Sequence, residues 1–480
     1  MNRLDTKAAP DPSSEPGASG ADSSSSAQRA PSAQRAPSAP SAGSALKKPV
    51  FWNFGGLFFF YFAIWQLAFT FLSRWLEVEA GMSHGNIGLL NSVMALTAFC
   101  LQPFYGFIQD KLGFRKHLFA FVVVVGALMG PFFAFVFTPL VEINQVLGAI
   151  VGGLFLSLTL NAGVGIVETF NERNARANSF EYGHVRLFGS IAGATASLIG
   201  GFIWASNPDN IWWAATFSAI VLGVLLLIAR TPKPGSAGYE ALTADAERAD
   251  EAASGEQPAT KPKVDRQVVL RLFRSRSFIG FMVLMFGAAA LYDVFDQQFP
   301  NYFAQFVTGS LDPQVLFSRV VFAQILAEAL VMVAMPFIIN RIGAKRGLQL
   351  FAIVLIVRVV GSAFFTHTYL LIFWRLLAAV EMPLMLISVM KYITRMFDVQ
   401  ISATAYMIGF NMAKQVGIVI FSWVFGMAYD AIGFGPSYLI MGAVVLVVVV
   451  VSGVLMEDDR RYEHADGSAT EAEASTPARV

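Results

Sequence analysis

Nine ionisable side chains stand inside otherwise apolar runs of this 480-residue chain, and they are the residues best able to do chemistry. The acids are Glu168, Asp293, Asp296, Glu328 and Glu381, and the bases are Arg186, Arg358, Arg375 and Lys414. Asp293 and Asp296 sit three apart in "ALYDVFDQQFP" (290–300), within a greasy run from Phe278 to Phe306. That spacing puts both carboxylates on one face of a helix, where unpaired they would repel. Bases from other helices must therefore approach that face. A charge at a bilayer centre costs about 2.5–3.5 kcal/mol on insertion scales, and this chain accepts the cost repeatedly. Interhelical ion pairs that merely fix packing are the bland alternative for any one pair, but not for the whole set. Five acids face four bases, and the bases stay charged. A dry site with one surplus acid favours a neutral, protonated carboxyl. If its exposure alternates, that carboxyl can carry a proton across. No histidine is needed: His84, His117, His184, His367 and His464 all fall in loops, tails or span ends. Aromatic rings stand near these charges. Trp65, Phe69 and Tyr292 could stack on an apolar face of a ligand, and Glu168, Arg186, Gln298, Gln324 and Glu328 could hold a rim of hydroxyls. Such a pairing of ring and polar rim suits a sugar.

The elements that must position these groups are membrane helices. The chain is 55% hydrophobic and 14% charged, with 44 Phe and a mean hydropathy of +0.56, against about 25% charged residues in soluble domains. Uncharged runs such as Leu118–Phe137, Ile211–Ala229 and Ser437–Met456 each match the roughly 20 residues that cross a bilayer core. The pattern predicts twelve spans, near 50–74, 85–109, 116–138, 143–170, 185–207, 210–230, 276–306, 315–339, 346–367, 369–393, 401–427 and 434–456. Residues 1–46, rich in Ser, Ala and Pro with "SAQRAP" at 26–31 and again at 32–37, are expected to be a disordered tail. No apolar stretch long enough for a signal peptide precedes Phe51. A polar linker at 231–275 separates bundles at 47–230 and 276–456, and a polar tail follows at 457–480.

The two halves repeat. "GFIQDKLGFRK" (106–116) matches "PFIINRIGAKR" (336–346) at Lys111/Arg341, Gly113/Gly343 and the following basic pairs, with Asp110 facing Asn340. Each copy follows the second span of its half, and duplication of a six-helix unit is a transporter signature. Lys111, Arg115, Lys116, Arg173, Arg176, Lys345, Arg346, Lys391 and Arg395 gather on one side. The excess of basic residues predicts that this side, with both termini, is cytoplasmic. A net charge of +1 gives no electrostatic case for nucleic acid. The single cysteine, Cys100, excludes an internal disulfide and is expected to serve packing. Nothing reads as a nucleophile with its base, a phosphate-cradling glycine loop or a metal cluster, so no enzyme is expected.

Several of these stretches carry a resemblance. "GFIQDKLGFRK" resembles the loop signature of the major facilitator superfamily, and implies a switching role for Gly106, Asp110, Lys111, Gly113 and Arg115. More narrowly, "FFFYF" (58–62), "QPFYGFIQDKLG" (102–113), "FEYGHVRLFGS" (180–190), "YDVFDQQF" (292–299), "PFIINRIGAK" (336–345) and "EMPLMLISVMKYIT" (381–394) resemble the oligosaccharide:proton symporters of the lactose and sucrose permease type. The likeness covers about 50–456. It implies an all-α membrane protein of twelve transmembrane helices in two six-helix bundles. It further implies that Glu168 and Arg186 grip sugar and that Asp296 pairs with Arg375 and Asp293 with Lys414. Arg358 and Glu381 would then handle the proton, with Glu381 as carrier. The family usually has lysine where Arg375 stands. Two departures stand out: a histidine expected one turn before Glu381 is Ala378, and a tryptophan expected in the fifth helix is Gly193. Trp65, Gln324 and Glu328 follow the sucrose permease pattern, while Asp293 with Lys414 follows the lactose type. The expectation is a monomeric symporter in a bacterial inner membrane, cofactor-free apart from the proton as coupling ion. It would import a disaccharide or short oligosaccharide, with sucrose or fructo-oligosaccharides favoured over galactosides. The rivals are an uncoupled facilitator or drug/proton antiporter of the same fold and, remotely, a non-transporting sugar sensor.

Overall fold

The computed structural model describes residues 46–178, 180–232, 272–397 and 399–459. The N-terminal tail, most of the linker, the last 21 residues including His464, and the side chain of Asp110 lie outside the described residues. No strand occurs among the described residues, as expected where lipid offers the backbone no hydrogen bonds and each span must satisfy its own.

The helices are α1 (Pro49–Val78), α2 (His84–Leu112), α3 (His117–Ala127 with Met129–Ile143), α4 (Gln145–Ala177), α5 (Tyr182–Ser206) and α6 (Asn210–Ile228). After the linker come α7 (Arg276–Ala304), α8 (Pro313–Ile342), α9 (Ala344–Phe364), α10 (Thr368–Met396), α11 (Tyr406–Ile432, preceded by the short Val399–Ala405) and α12 (Phe434–Leu455). Eleven are long and apolar enough to cross a membrane, and the two parts of α3, bent by 46°, make a twelfth. Local sequence sets the boundaries. Pro49 and Pro313 open α1 and α8, where a missing N–H costs nothing. Ser83, Asn144 and Asp312 cap α2, α4 and α8 through their side chains. The glycines matched between the halves close equivalent helices: Gly113 (φ 57°) ends α2 and Gly343 (φ 89°) ends α8, in backbone that L side chains rarely adopt.

Two large apolar cores form. One joins residues between Phe51 and Ala229 with Val315, and the other joins residues between Leu272 and Met456. A small contact of Ala95, Ala290 and Ile418 ties α2 to α7 and α11. Cys100 is exposed rather than packed. It shares a helix face with Leu96, Phe104 and Phe107, all at least 48% exposed, which is the stripe of α2 that can face lipid.

Chain direction gives the bundle a basic end, with the 113–116 and 343 turns, and an opposite end, with the 79–83 and 305–312 loops. At the basic end a residue read as tail does structural work. Asp459 is fully buried and accepts from the backbone N–H of Ala344 (2.9 Å) and Lys345 (3.0 Å) and from Arg395 (2.8 Å). It thereby caps α9 and ties it to α10. Burial alone would raise its carboxyl, but these donors outweigh burial and hold it below the usual carboxylate range.

Candidate functional site

The charged residues singled out in the sequence converge between helices. On the first half, Arg186 of α5 reaches Glu168 of α4 at 3.1 Å, with the two side chains 42% and 35% exposed. The guanidinium also lies 5.0 Å from the Phe62 ring. Phe62, Trp65 and Phe69 follow at three- and four-residue spacing along one face of α1, with the Trp65 and Phe69 rings 4.3 Å apart. Gly193 of α5 stands opposite Gln66 and Ile325.

On the second half, Asp296 sits at the centre. Its Oδ1 accepts from Arg358 of α9 at 2.7 Å, and its Oδ2 is 2.6 Å from Arg375 of α10. Arg358 also comes within 2.8 Å of Glu381, and both are fully buried. Arg358 thus reaches two carboxylates at once, donating to Asp296 from one nitrogen and meeting Glu381 with another. Asp293 pairs with Lys414 of α11 at 2.9 Å. Tyr292 and Phe295 place their rings 5.2 and 4.8 Å from the Arg358 guanidinium. Tyr292 is 8% exposed, so its ring packs against that cation and offers little open face. Glu328, on α8 with buried Gln324, is the one carboxylate of the five that no ion pair above engages. Of these nine groups the second half holds four acids (Asp293, Asp296, Glu328, Glu381) against three bases (Arg358, Arg375, Lys414), and the first holds one of each.

Backbone irregularity accompanies this network. A π-helical turn, Met285–Ala289, precedes Asp293 on α7, and another, Tyr406–Met412, precedes Lys414 on α11. Such turns shift side chains around the helix axis and cluster at functional positions. Here they flank the two ends of one ion pair.

Charges this deep yet 30–42% exposed, as at Asp293, Glu168 and Arg186, require access for water. The opposite end is sealed. Three buried carboxamides of the second half donate to backbone carbonyls of the first: Gln298 to His84 (3.0 Å), Asn301 to Ser73 (3.3 Å) and Gln314 to Thr70 (2.8 Å). Asp430 of α11 accepts from the first two N–H groups of α2, those of His84 (3.0 Å) and Gly85 (2.7 Å). Close by, Gly88 lies against the Ser422 carbonyl, where any Cβ would collide. Polar groups of the second half thus close that end against the backbone of the first. Gln298 belongs to this seal and not to a hydroxyl-binding rim. Asn301, Gln314 and Asp430 were not visible as functional residues in the sequence.

A twelve-helix bundle with a duplicated half, a charge network between its helices and polar contacts joining the halves at one end defines a transporter of the major facilitator fold. The solved nucleoside transporter NupG superposes with a TM-score of 0.69 at 16% identity, covering 85% of this chain and all of that one. Residues 44–466 match the LacY proton/sugar symporter family, to which this chain belongs. It is 37% identical to the melibiose permease of Enterobacter cloacae subsp. cloacae over 88% of this chain and 96% of that one. It is 34% identical to the raffinose permease of Escherichia coli over the same shares. It is thus a proton/sugar symporter rather than an enzyme, and the proton is its coupling ion.

Proposed function

We propose that the protein imports a disaccharide or short oligosaccharide together with a proton, across a bacterial inner membrane, by alternating exposure of the vestibule. In this reading the two six-helix bundles, 47–230 and 276–456, rock against each other, and the basic end and both termini face the cytoplasm. One observation carries the reading: the second bundle's network holds one more acid than bases, beside a Glu168–Arg186 pair open to the same vestibule. The surplus acid takes the proton, and the open pair takes the sugar. Sugar then shifts the equilibrium between the two exposures only through unequal affinity for them. The seal at the opposite end makes the described conformation the inward-facing one, in which cargo would be released. The conformational-switch role belongs to Gly106, Asp110 and Lys111 in the last turns of α2 and to Gly113 and Arg115 in the turn that follows it.

The rings of Phe62, Trp65 and Phe69 on α1, with Gly193 leaving α5 bare, support a sucrose or fructo-oligosaccharide. The melibiose and raffinose permease relatives favour a galactoside as the second reading. Uptake of radiolabelled sucrose, lactose, melibiose, raffinose and short fructans into right-side-out vesicles decides between them. Accumulation should require an inward proton gradient, and sugar addition to cells should alkalinise the medium. Uptake indifferent to the gradient would leave only a facilitator.

Within this reading Arg186 is the main sugar ligand. A guanidinium fork to hydroxyls has no substitute among neighbouring groups. Arg186→Ala should weaken sugar binding at least a hundredfold by calorimetry, in keeping with about 3–6 kcal/mol for two hydrogen bonds to a charged group. Binding within a few-fold of the parent would remove Arg186 from the site.

A further inference from the structure

Gln66 carries an unused acceptor beside a bare stretch of α5. It lies one turn beyond Phe62 on α1, on the half-buried face that also carries Trp65 and Phe69. One turn further on is Thr70, whose hydroxyl accepts from Nε2 of Gln66 at 2.7 Å. That bond orients the carboxamide and leaves Oε1 without a donor among the described residues. Oε1 faces Gly193: a Cβ added there would lie 3.3 Å from it and 3.5 Å from Cδ1 of Ile325 on α8. One turn earlier on α5, a Cβ on Gly189 would lie 3.0 Å from the Phe62 ring and 3.4 Å from an Arg186 guanidinium nitrogen. Arg186, Gly189 and Gly193 thus run along one face of α5, with Phe62 and Gln66 beside them on α1. Seven residues separate Arg186 from Gly193, about 10 Å along a helix. The path leads from the Glu168–Arg186 pair toward the seal, since the Thr70 carbonyl takes the Gln314 carboxamide there.

We propose that Gln66 is a specificity-determining residue of the sugar site, its Oε1 accepting from a hydroxyl of the second sugar unit. Glu168 and Arg186 hold the first unit, so the assignment deepens the oligosaccharide reading and rests on it. Two linked rings span the distance from that pair to Gln66, and a single ring does not. A hydroxyl entering between Gln66 and Ile325 meets one acceptor and one apolar wall. A unit that turns a C–H toward Gln66 leaves Oε1 unpaired and cut off from water, and an unpaired polar group of this kind is what rejects an analogue. Thr70 only orients the carboxamide and touches no sugar.

A hydrogen bond within α1 is the rival role for Gln66, and two substitutions separate the roles. Gln66→Met and Thr70→Val both break the Gln66–Thr70 bond, but only Gln66→Met removes the acceptor. Binding of sucrose, melibiose and raffinose to the full-length protein in detergent is measured by calorimetry. Gln66→Met should weaken the tightest of them roughly five- to tenfold, the size of one neutral hydrogen bond, and Thr70→Val by less than about threefold. Should Gln66→Met not fold, Gly193→Ala decides, since alanine favours the helix. Its methyl stands beside Oε1 in the path of the incoming hydroxyl and should weaken the same sugar roughly threefold or more. Parent-like affinity for all three sugars in Gln66→Met, or in Gly193→Ala where that variant decides, removes Gln66 from the site. So does a loss in Thr70→Val that equals the loss in Gln66→Met. A loss as large for free glucose, fructose or galactose overturns the placement at the second unit. A parent that binds none of the three oligosaccharides overturns this assignment together with the oligosaccharide reading.

Discussion

Vesicles carrying Glu381→Gln should exchange labelled for unlabelled sugar at close to the parent rate, yet fail to concentrate it against a gradient. Exchange needs the vestibule to alternate while loaded. It does not require the carrier carboxyl to release its proton, and glutamine imitates the protonated acid in shape and neutrality. Net uphill uptake requires the empty carrier to return after that proton has left, and glutamine has none to release. Glu381 suits this part because it shares its cation. Arg358 lies 2.8 Å away and also donates to Asp296. A carboxyl whose one cation is shared with a second carboxylate can trade that cation for a proton when the helices shift. Glu328, which no ion pair above engages, is the competing carrier. Accumulation that survives Glu381→Gln and disappears in Glu328→Gln would move the role to α8.

The sequence made the spans and the charge network legible for a physical reason. A charge inside an apolar run is so costly that most of them mark a partner on another helix, Glu328 being the exception, and the duplicated turn marks the halves. Asp293 with Lys414, Asp296 with Arg375 and Arg358 with Glu381 all meet as the family resemblance implied, and Glu168 meets Arg186. The additional bond from Arg358 to Asp296 was not implied by the pairings, because one carboxylate serving two guanidinium groups leaves no trace in spacing. The seal was illegible for a different reason. Its carboxamides and Asp430 meet only backbone carbonyls and N–H groups, which nearly every residue has, so the first half carries no side-chain signature of the contact. Gln298 accordingly read as a sugar ligand. Asp459 was hidden by its setting: a polar segment after the last span looks solvated until the fold returns it to the start of α9. The π turns beside Asp293 and Lys414 were likewise invisible, since Met285–Ala289 and Tyr406–Met412 have ordinary helical composition.

Replacing Arg358 should do the most damage of any single change in the network, and the pattern of rescue should separate folding from coupling. Arg358 is fully buried and stands between Asp296 and Glu381. Arg358→Ala leaves two carboxylates facing each other with Arg375 as the remaining cation on Asp296. Breaking a buried pair by removing one partner costs about 3–5 kcal/mol, because the surviving charge is left in a medium that cannot solvate it. The detergent-solubilised variant should therefore melt well below the parent, and transport should be lost. Arg358→Lys should recover little, because an ammonium is a single point of charge and cannot hold one carboxylate in a directed bond while touching another. Adding Glu381→Gln to Arg358→Ala removes one charge of each sign and restores the network's original balance. The double variant should regain at least 1 kcal/mol of the lost stability, a coupling typical of residues in one network. It should still fail to accumulate sugar if Glu381 carries the proton as proposed. If the double variant melts no higher than Arg358→Ala alone, the Arg358–Glu381 contact is not what holds Glu381 in the bundle. The proton would then have to be assigned to a carboxyl that Arg358 does not touch.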